Sequence, residues 1–314
     1  MAHYLITGGA GFIGSNIAHK LVEKGEQVRI LDNFLTGREE NIATLVETRK
    51  IDLLRGDIAD ADAAARAMRG IDYVLHQAAI PSVPRSIEDP LGGDLVNVHG
   101  TLTILDAARK AGVKRVVFAA SSSAYGEKAP GEPKVETMQP APLSPYAAAK
   151  LAGEYYMQAF YHSYGLETVA LRYFNIFGPR QDPKSQYAAV IPNFVTAALQ
   201  GRPATIYGDG ETSRDFCFVD NAIEANLLAC TAPGAAGEVF NIACGESTSL
   251  LQTVDIIARI VGKKVAPNHE PPRTGDIKYS LADISKAKRV LGYTGRIKFA
   301  EGLERTIAWY KESL

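Results

Sequence analysis

The chain has 314 residues, of which 46% are hydrophobic and 22% are charged, as in an ordinary globular protein with one large domain or two smaller ones. Its 34 basic and 35 acidic residues give a formal net charge of −1, so we expect neither nucleic acid nor a membrane as a partner. No apolar run approaches the roughly 20 residues of a membrane span, and a strand pattern begins at once without a signal peptide, so we expect a cytoplasmic protein.

Strand and helix patterns alternate through the first half of the chain. Residues 3–7 resemble a strand, and Ile13, Ile17 and Leu21 have the helical spacing that predicts a helix over 12–24. Further strands are predicted at 27–32, 50–56, 72–77, 115–121 and 167–174, and further helices at 60–68, 93–111 and 146–164. Because such alternation implies right-handed crossovers, the sequence predicts an α/β fold with a doubly wound parallel sheet.

The second half of the chain has a different composition from the first. Proline and glycine become frequent after Asn175, which favours a second region. A helical stretch after Asn221 and strand-like residues 238–245 can rejoin the first domain. A helix at 250–261, a proline-rich connector at 266–274 and terminal helices follow. We predict one domain of residues 1–173 with a return segment near 215–243, and a smaller mixed C-terminal domain of residues 174–214 and 244–314.

Residues 7–14, TGGAGFIG, form a glycine-rich turn between the first strand and the first helix. One three-glycine frame starts at Gly9 and another at Gly8, and both have the same physical meaning. Small residues let the backbone approach a pyrophosphate, and the helix N-terminus supplies free N–H groups and a partial positive charge. The turn therefore predicts a dinucleotide site. Its predicted cofactor contacts are Gly8, Gly11, Phe12, Ile13 and Gly14.

An acidic residue ends the second strand, about 20 positions after the glycine-rich turn, which is where a carboxylate binds the adenosine ribose. That residue is Asp32, and no arginine stands immediately beside it in the sequence. Because a carboxylate repels a 2′-phosphate, we predict NAD rather than NADP. The predicted adenosine contacts are Asp32, Asn33, Asp57 and Ile58.

The cysteines and histidines do not have the sequence spacing of metal ligands, and we predict that no metal binds. Cys217, Cys230 and Cys244 are widely spaced and are expected to be small buried residues in a reducing compartment. The six histidines lack ligand spacing, so we expect them to be structural, with His76 near the cofactor.

Tyr146 and Lys150 stand four residues apart in SPYAAAK, at the start of a predicted helix, and therefore share a helical face. A lysine cation beside a phenol favours the phenolate, so Tyr146 is a candidate base. The alternative is an interfacial tyrosine and a solvated lysine. Ser121, Ser122 and Ser123 follow a strand, where a hydroxyl can relay a proton, although a serine-rich turn is the simpler interpretation.

These motifs together resemble the extended short-chain dehydrogenase/reductase family, in its sugar-nucleotide epimerase/dehydratase branch. The matching residues are TGGAGFIG, Asp32, HQAA at 76–79, SSSAYG at 121–126, Tyr146 with Lys150, RYFNIFGPRQ at 172–181 and GDGETSRDF at 208–216. The resemblance covers essentially the whole chain and is closest to the UDP-hexose 4-epimerases. It implies a Rossmann domain that binds NAD, with further contacts from Gln77, Ala78, Ala79, Tyr146, Lys150 and Tyr173. It also implies a homodimer through the helices at 93–111 and 146–164.

The resemblance also implies a reaction. Dehydratases of this branch carry an Asp-Glu pair in the serine loop and decarboxylases carry a Glu, whereas this chain has Ser122, Ser123 and Ala124. That difference favours oxidation, rotation and reduction of the sugar at carbon 4. Tyr146 then acts as the base, Ser121 relays or orients the proton, and Lys150 holds the nicotinamide ribose. The cofactor is expected to stay bound because net redox is zero.

The UDP-sugar contacts are likewise implied by the resemblance. Arg214 and Arg273 fit the pyrophosphate, Asp276 the uridine ribose, Tyr207 the uracil, and Asn175 the diphosphate or sugar. A surface charge is the alternative for each arginine. The remaining predicted substrate residues are Ser82, Arg85, Ser122, Ser123, Val190 and Ser280, with Arg180 a weaker candidate.

Ser280 bears on the choice of sugar. Epimerases restricted to plain hexoses resemble this chain but carry a bulky Tyr three residues before the residue that is Asp283 here. A serine leaves space for an N-acetyl group, unless Ser280 simply faces solvent. Two other functions remain open, namely a different reaction such as UDP-uronate epimerisation or net reduction, and a catalytically silent NAD-binding protein.

Overall fold

A parallel β-sheet forms the centre of the protein. The computed structural model describes residues 1–129, 131–183, 190–272 and 277–313, so the predicted contacts Arg273 and Asp276 lie outside the described residues. The strands are β1 (His3–Thr7), β2 (Gln27–Asp32), β3 (Asp52–Arg55), β4 (Tyr73–His76), β5 (Arg115–Ser121), β6 (Glu167–Tyr173), β7 (Ile176–Phe177), β8 (Ala204–Tyr207), β9 (Ser213–Arg214), β10 (Cys217–Phe218), β11 (Glu238–Ile242), β12 (Thr248–Ser249) and β13 (Pro267–Glu270).

Seven of these strands pair in the order β11-β6-β5-β4-β1-β2-β3, and every pairing in this sheet is parallel. The order reverses direction next to β1, where the chain leaves toward β2 on one side and returns to β4 on the other. Ligands bind at the carboxyl ends of strands at such a switch point. The predicted doubly wound Rossmann-like fold is confirmed.

Helices cover both faces of the sheet. They are α1 (Phe12–Glu23), α2 (Ala43–Glu47), α3 (Ala61–Ala67), α4 (Val83–Glu88), α5 (Pro90–Asp94), α6 (Thr101–Ala111), α7 (Pro145–Tyr164), α8 (Val190–Leu199), α9 (Val219–Thr231), α10 (Leu250–Val261), α11 (Ser285–Leu291) and α12 (Phe299–Ser313). Among the described residues no helix has both the length and the apolar character needed to cross a membrane.

The predicted helical stretch over 93–111 is helical throughout, but its pitch changes within it. The chain forms α5, then a π-helical turn at Leu95–Gly100, then α6. Within this turn, the Asn97 side chain accepts a hydrogen bond from Ile80 N at 2.9 Å and donates one to Ile80 O at 3.2 Å. The wider turn thus lets an amide hold the loop after β4. The sequence pattern of a helix does not reveal such a local change of pitch.

The predicted proline-rich connector over 266–274 contains a strand that was not predicted, because β13 pairs there with β8. Apolar residues fill both faces of the main sheet, and a further cluster joins α8, α10 and α12. Cys217, Cys230 and Cys244 are buried free thiols, as predicted. β11 pairs with β6 in the main sheet, whereas the division into two domains stays a prediction.

Candidate active site

A cleft of about 850 Å³ opens at the carboxyl edge of the sheet. The β1–α1 turn, the chain after β2 and β3, and residues Gln77 to Ser82 after β4 contribute to its walls. Residues Arg180 to Asp182 approach it from the second half of the chain. The cleft therefore lies at the switch point that the strand order defines.

The glycine turn forms the floor of the cleft and leaves no room for side chains. Gly8 has φ +68°, and a Cβ there would lie 2.6 Å from the Ala78 Cα. A Cβ on Gly14 would lie 2.2 Å from the Gly8 carbonyl oxygen. Gly9 packs instead against Ile30, so the frame that starts at Gly8 is the one that faces the cleft. The free backbone N–H groups at the N-terminus of α1 therefore face the cleft, where a pyrophosphate can bind them.

Asp32 occupies the predicted position at the end of β2. One carboxylate oxygen accepts from Ala10 N and the other from Phe34 N, both at 2.8 Å. Burial raises the pKa of Asp32, and these two N–H groups act against that rise. Each oxygen keeps a lone pair for a ribose hydroxyl. Asn33 lies beside it in the cleft wall and donates to Asp57 Oδ2 at 2.8 Å.

Besides Arg85, two arginines that the cofactor prediction omitted also line this cleft. Arg38 follows Asp32 by six residues and lies 3.4 Å from Asp182 Oδ1. Arg180, considered above for the substrate end, instead faces the cofactor cleft, where its Nη1 donates to Asn16 Oδ1 at 2.7 Å. No sequence signal assigned Arg38, because its approach to the cleft depends on how the loop after β2 folds.

The candidate catalytic residues come together from β5 and α7. Ser121 ends β5, and its hydroxyl lies close enough to the Tyr146 phenol to lower the pKa of that group. Tyr146 and Lys150 lie one turn apart on α7, whose N-cap is Ser144. Lys150 is buried, and its Nζ donates to Ala119 O at 2.8 Å and lies 4.8 Å from the centre of the Phe118 ring.

The electrostatics differ from the prediction that Lys150 lowers the pKa of Tyr146. Burial raises the pKa of Tyr146, and the group that lowers it is the Ser121 hydroxyl. Burial also lowers the pKa of Lys150 to about 7, so desolvation favours its neutral amine. The sequence argument overlooked the desolvation of both groups.

Some predicted cofactor residues are engaged elsewhere. The Tyr173 hydroxyl donates to Gln77 Oε1 at 3.1 Å and accepts from Asn226 Nδ2 at 2.6 Å. Gln77 Nε2 closes this ring to Asn226 Oδ1 at 3.1 Å. His76 contacts the hydroxyls of Thr7 and Thr101, in keeping with a structural role. Gln77, Ala78, Ala79 and Ile58 line the cleft.

The predicted substrate residues fall into two groups. Ser82 and Arg85 line the cleft, and Ser82 Oγ caps α4 by accepting from Arg85 N at 3.2 Å. Ser122 and Ser123 lie on the turn after β5, where Ser123 Oγ donates to Ser121 Oγ at 2.8 Å. Asn175, with φ +35°, follows β6, and its Nδ2 donates to Asp215 O at 3.4 Å.

The second group belongs to the smaller strands and their neighbours. Arg214, in β9, donates from Nη1 to Ser213 O at 3.0 Å and to Lys278 O at 3.2 Å. Ser280 N donates to Ser213 O at 3.2 Å, and the residue is only 5% exposed, so it does not face solvent. Tyr207 ends β8 and Val190 begins α8.

In the described ranges of the chain, three or more His, Cys, Asp or Glu side chains nowhere converge as metal ligands would. The glycine cradle and the Asp32 carboxylate at the end of β2 instead fit a dinucleotide. The NAD dependent epimerase/dehydratase family model matches residues 4–243. The chain belongs to this family.

Solved structures resemble the whole chain. UDP-glucose 4-epimerase from Thermotoga maritima, with UDP-glucose, is 38% identical with a TM-score of 0.93 and 99% of each chain covered. UDP-N-acetylglucosamine 4-epimerase from Methanobrevibacter ruminantium M1 is 39% identical with a TM-score of 0.92, covering 100% of this chain and 99% of that one. UDP-glucuronic acid 4-epimerase from Bacillus cereus, with NAD, is 32% identical with a TM-score of 0.92, covering 99% of this chain and 100% of that one.

These matches confirm the predicted family and NAD as the cofactor. The predicted enzyme class, an isomerase, is confirmed as well, because the neighbours are UDP-sugar 4-epimerases. These three epimerases are named for three different sugars, so the likeness alone leaves the sugar of this chain open.

Proposed function

We propose that this protein interconverts UDP-hexoses at sugar carbon 4, taking UDP-glucose and UDP-galactose as well as UDP-N-acetylglucosamine and UDP-N-acetylgalactosamine. The observation that carries the proposal is the Ser121 hydroxyl beside the Tyr146 phenol, next to a turn without a carboxylate. Ser122, Ser123 and Ala124 occupy the positions where an acid would drive a second proton transfer. The turn therefore supports oxidation and reduction at one carbon, with no elimination step.

Each residue of the candidate site has a task in that reaction. Bound NAD supplies a reversible hydride acceptor. Tyr146 takes the proton of the sugar 4-hydroxyl and later returns it, and Ser121 orients that proton. Lys150 binds the nicotinamide ribose. Asp32 binds the adenosine ribose, with Asn33, Asp57 and Ile58 near the adenine. With the oxidised nicotinamide in place, a positive charge beside the buried Tyr146 would favour its phenolate.

We propose that the UDP-sugar binds around Arg214 and Ser280. Arg214 presents a guanidinium suited to a pyrophosphate, and Arg273, Asp276, Tyr207 and Asn175 complete the nucleotide contacts. Ser82, Arg85, Ser122, Ser123 and Val190 are proposed around the sugar. The small buried Ser280 supports room for an N-acetyl group as the flat 4-keto sugar turns.

A three-substrate assay tests the function. The purified protein is incubated with UDP-glucose, UDP-N-acetylglucosamine or UDP-glucuronate without added NAD, and products are identified by proton NMR. We expect the 4-epimers of the first two. Conversion of UDP-glucuronate alone would assign the uronate reaction, and absence of any product would indicate a silent NAD-binding protein. A reductase would consume substrate only when a reduced cofactor is added.

A further inference from the structure

A group of polar side chains lies buried between α7, β6 and β11. We call Glu154, Arg172, Tyr125 and Asn241 the buried polar network, and each of its members is at most 3% exposed. The four are in contact in that order, from the helix that carries Tyr146 to the last strand of the main sheet. Polar groups at such depth are costly unless their bonds are made, so the arrangement calls for a physical reason.

The first link ties α7 to β6. Glu154 follows Lys150 by one helical turn and Tyr146 by two, so all three project from related positions on α7. Its carboxylate accepts from Arg172 Nε at 3.0 Å and from Arg172 Nη2 at 2.5 Å. This two-point geometry fixes the direction of the guanidinium as well as its distance.

The second link passes through the serine turn. The Arg172 guanidinium lies 4.5 Å from the centre of the Tyr125 ring, and the Tyr125 hydroxyl donates to Asn241 Oδ1 at 2.7 Å. Burial raises the pKa of Tyr125 to about 12, so the hydroxyl remains a donor at neutral pH. Tyr125 ends the short helical turn that directly follows Ser121. Holding Tyr125 therefore holds that turn.

The third link reaches the segment that contains Ser280. Asn241 Nδ2 donates to the carbonyl oxygens of Lys134 at 2.8 Å and Asp283 at 3.1 Å. Lys134 N in turn donates to Leu281 O at 2.9 Å. One amide side chain thus joins β11 to the segment of Lys134 and to the segment that contains Ser280 and Asp283.

Stability alone does not explain the network. A buried ion pair often stabilises no more than apolar residues of the same volume, because both charges lose their hydration. Among the described residues, the buried Arg172 Nη1 has no hydrogen-bond partner, which adds a further cost. What the network provides is one fixed arrangement of α7, the turn after Ser121 and the segments of Lys134 and Asp283.

We propose that the buried polar network is a positioning device that holds the turn of residues 121–125 so that the Ser121 hydroxyl stays beside the Tyr146 phenol. The proposal rests on the function proposed above. Tyr125 is its central residue, because its ring faces Arg172 and its hydroxyl holds Asn241, while its backbone continues the turn from Ser121.

Tyr125→Phe tests the proposal, because it keeps the ring and removes only the hydroxyl. We expect kcat to fall about tenfold, which corresponds to 1.4 kcal/mol, with the KM for UDP-sugar and the bound NAD unchanged. The acid limb of the kcat profile should also move to higher pH. Burial raises the pKa of Tyr146 and the Ser121 hydroxyl opposes that rise, so a displaced Ser121 leaves burial dominant.

Tyr293→Phe is the matched control. Tyr293 is 1% exposed and its hydroxyl donates to Ala243 O at 2.7 Å, so the change removes one buried hydroxyl outside the network. We expect a similar loss of thermal stability in both variants, with the kinetic changes confined to Tyr125→Phe. Equal kinetic effects in the two variants, or an unmoved acid limb in Tyr125→Phe, would overturn the proposal.

A direct titration separates this proposal from the proposed function. The phenol of Tyr146 is titrated by ultraviolet difference spectra in NAD-loaded protein, with Tyr146→Phe as the reference. The titration is done once in the otherwise wild-type protein and once in the Tyr125→Phe variant. This measurement needs no turnover. A higher Tyr146 pKa in the Tyr125→Phe background supports positioning even if the wild type converts none of the three sugars, and an unchanged pKa contradicts it.

Discussion

At the scale of single residues, burial is the dominant physical influence on the candidate site. It raises the pKa of Tyr146 and lowers the pKa of Lys150 to about 7, so both groups are pushed toward their neutral forms. A base that must ionise in such a place depends on what surrounds it when the cofactor is bound. Ser121 is the described side chain that already favours the phenolate.

Tyr146→Phe should remove nearly all activity and leave the fold and the bound NAD intact. Acid–base groups contribute about 10²–10⁴-fold, and the phenol is the group that moves the proton in the proposed reaction. Turnover is measured by NMR, and bound cofactor by mass spectrometry after denaturation. Activity within a factor of a few of wild type would show that another group is the base.

Ser280→Tyr should restrict the substrate range. Ser280 is 5% exposed, so a tyrosine there must take up space that an N-acetyl group needs. Overpacking costs about 1–3 kcal/mol, and 1.4 kcal/mol is tenfold, so kcat/KM for UDP-N-acetylglucosamine should fall about tenfold or more. UDP-galactose should be much less affected. Ser280→Ala, which keeps the space, is the control, and equal losses on both sugars would contradict the gating role.

At the scale of elements, strands and helices with strong periodicity were predictable and connections were not. The predicted bounds are correct for β1, β2, β5 and α10, because in each of them the apolar spacing and the residues at the ends indicate the same limits. The π-helical turn at Leu95–Gly100 and the β8–β13 pair were missed because each depends on a distant partner, Ile80 for the one and a separate strand for the other.

The segment that crosses the cofactor cleft also depends on distant contacts. We expect Arg180→Met to weaken NAD retention about tenfold, because the guanidinium anchors the segment to Asn16 of α1 and lines the cleft. Released nucleotide is measured by mass spectrometry after dialysis, which also checks that the nucleotide is NAD. Arg202→Met on the surface is the control. Equal NAD content in both variants would remove Arg180 from the cofactor site, and recovery of NADP would contradict the role of Asp32.

At the scale of the whole molecule, stability should vary with pH through Lys134. This residue is 1% exposed, and burial lowers its pKa from 10.5 to about 8. At pH values between these two pKa values, Lys134 holds a proton in the unfolded chain but not in the folded chain. Its contribution to the free energy of unfolding therefore rises with pH. Urea unfolding across that window should show a steeper rise for wild type than for Lys134→Met. The exposed Lys311→Met should behave as wild type, and parallel curves for all three would refute the assignment.

An exposed apolar surface supports the proposed homodimer. Leu91 is 83% exposed, Leu95 54% and Tyr155 52%, and α5 packs against α7, so these side chains share one side of the molecule. We expect a dimer by sedimentation equilibrium, and a monomer for the double variant Leu91→Asp with Leu95→Asp. Leu143→Asp, also at an exposed leucine, is the control. A wild-type monomer would disprove this interface.

The sequence by itself determined the alternation of strands and helices, the glycine turn, Asp32 and the Tyr146–Lys150 pair, because each is a local pattern with a local physical meaning. Tertiary structure alone decided which groups share the cleft, which are desolvated and which are bonded across the sheet. Arg38 and Arg180 reach the cofactor cleft through loops, and Arg172 of β6 meets Tyr125 only because β6 pairs with β5, whose following turn carries Tyr125. Desolvation and hydrogen bonding depend on the sum of distant neighbours, and that sum exists only once the chain has folded.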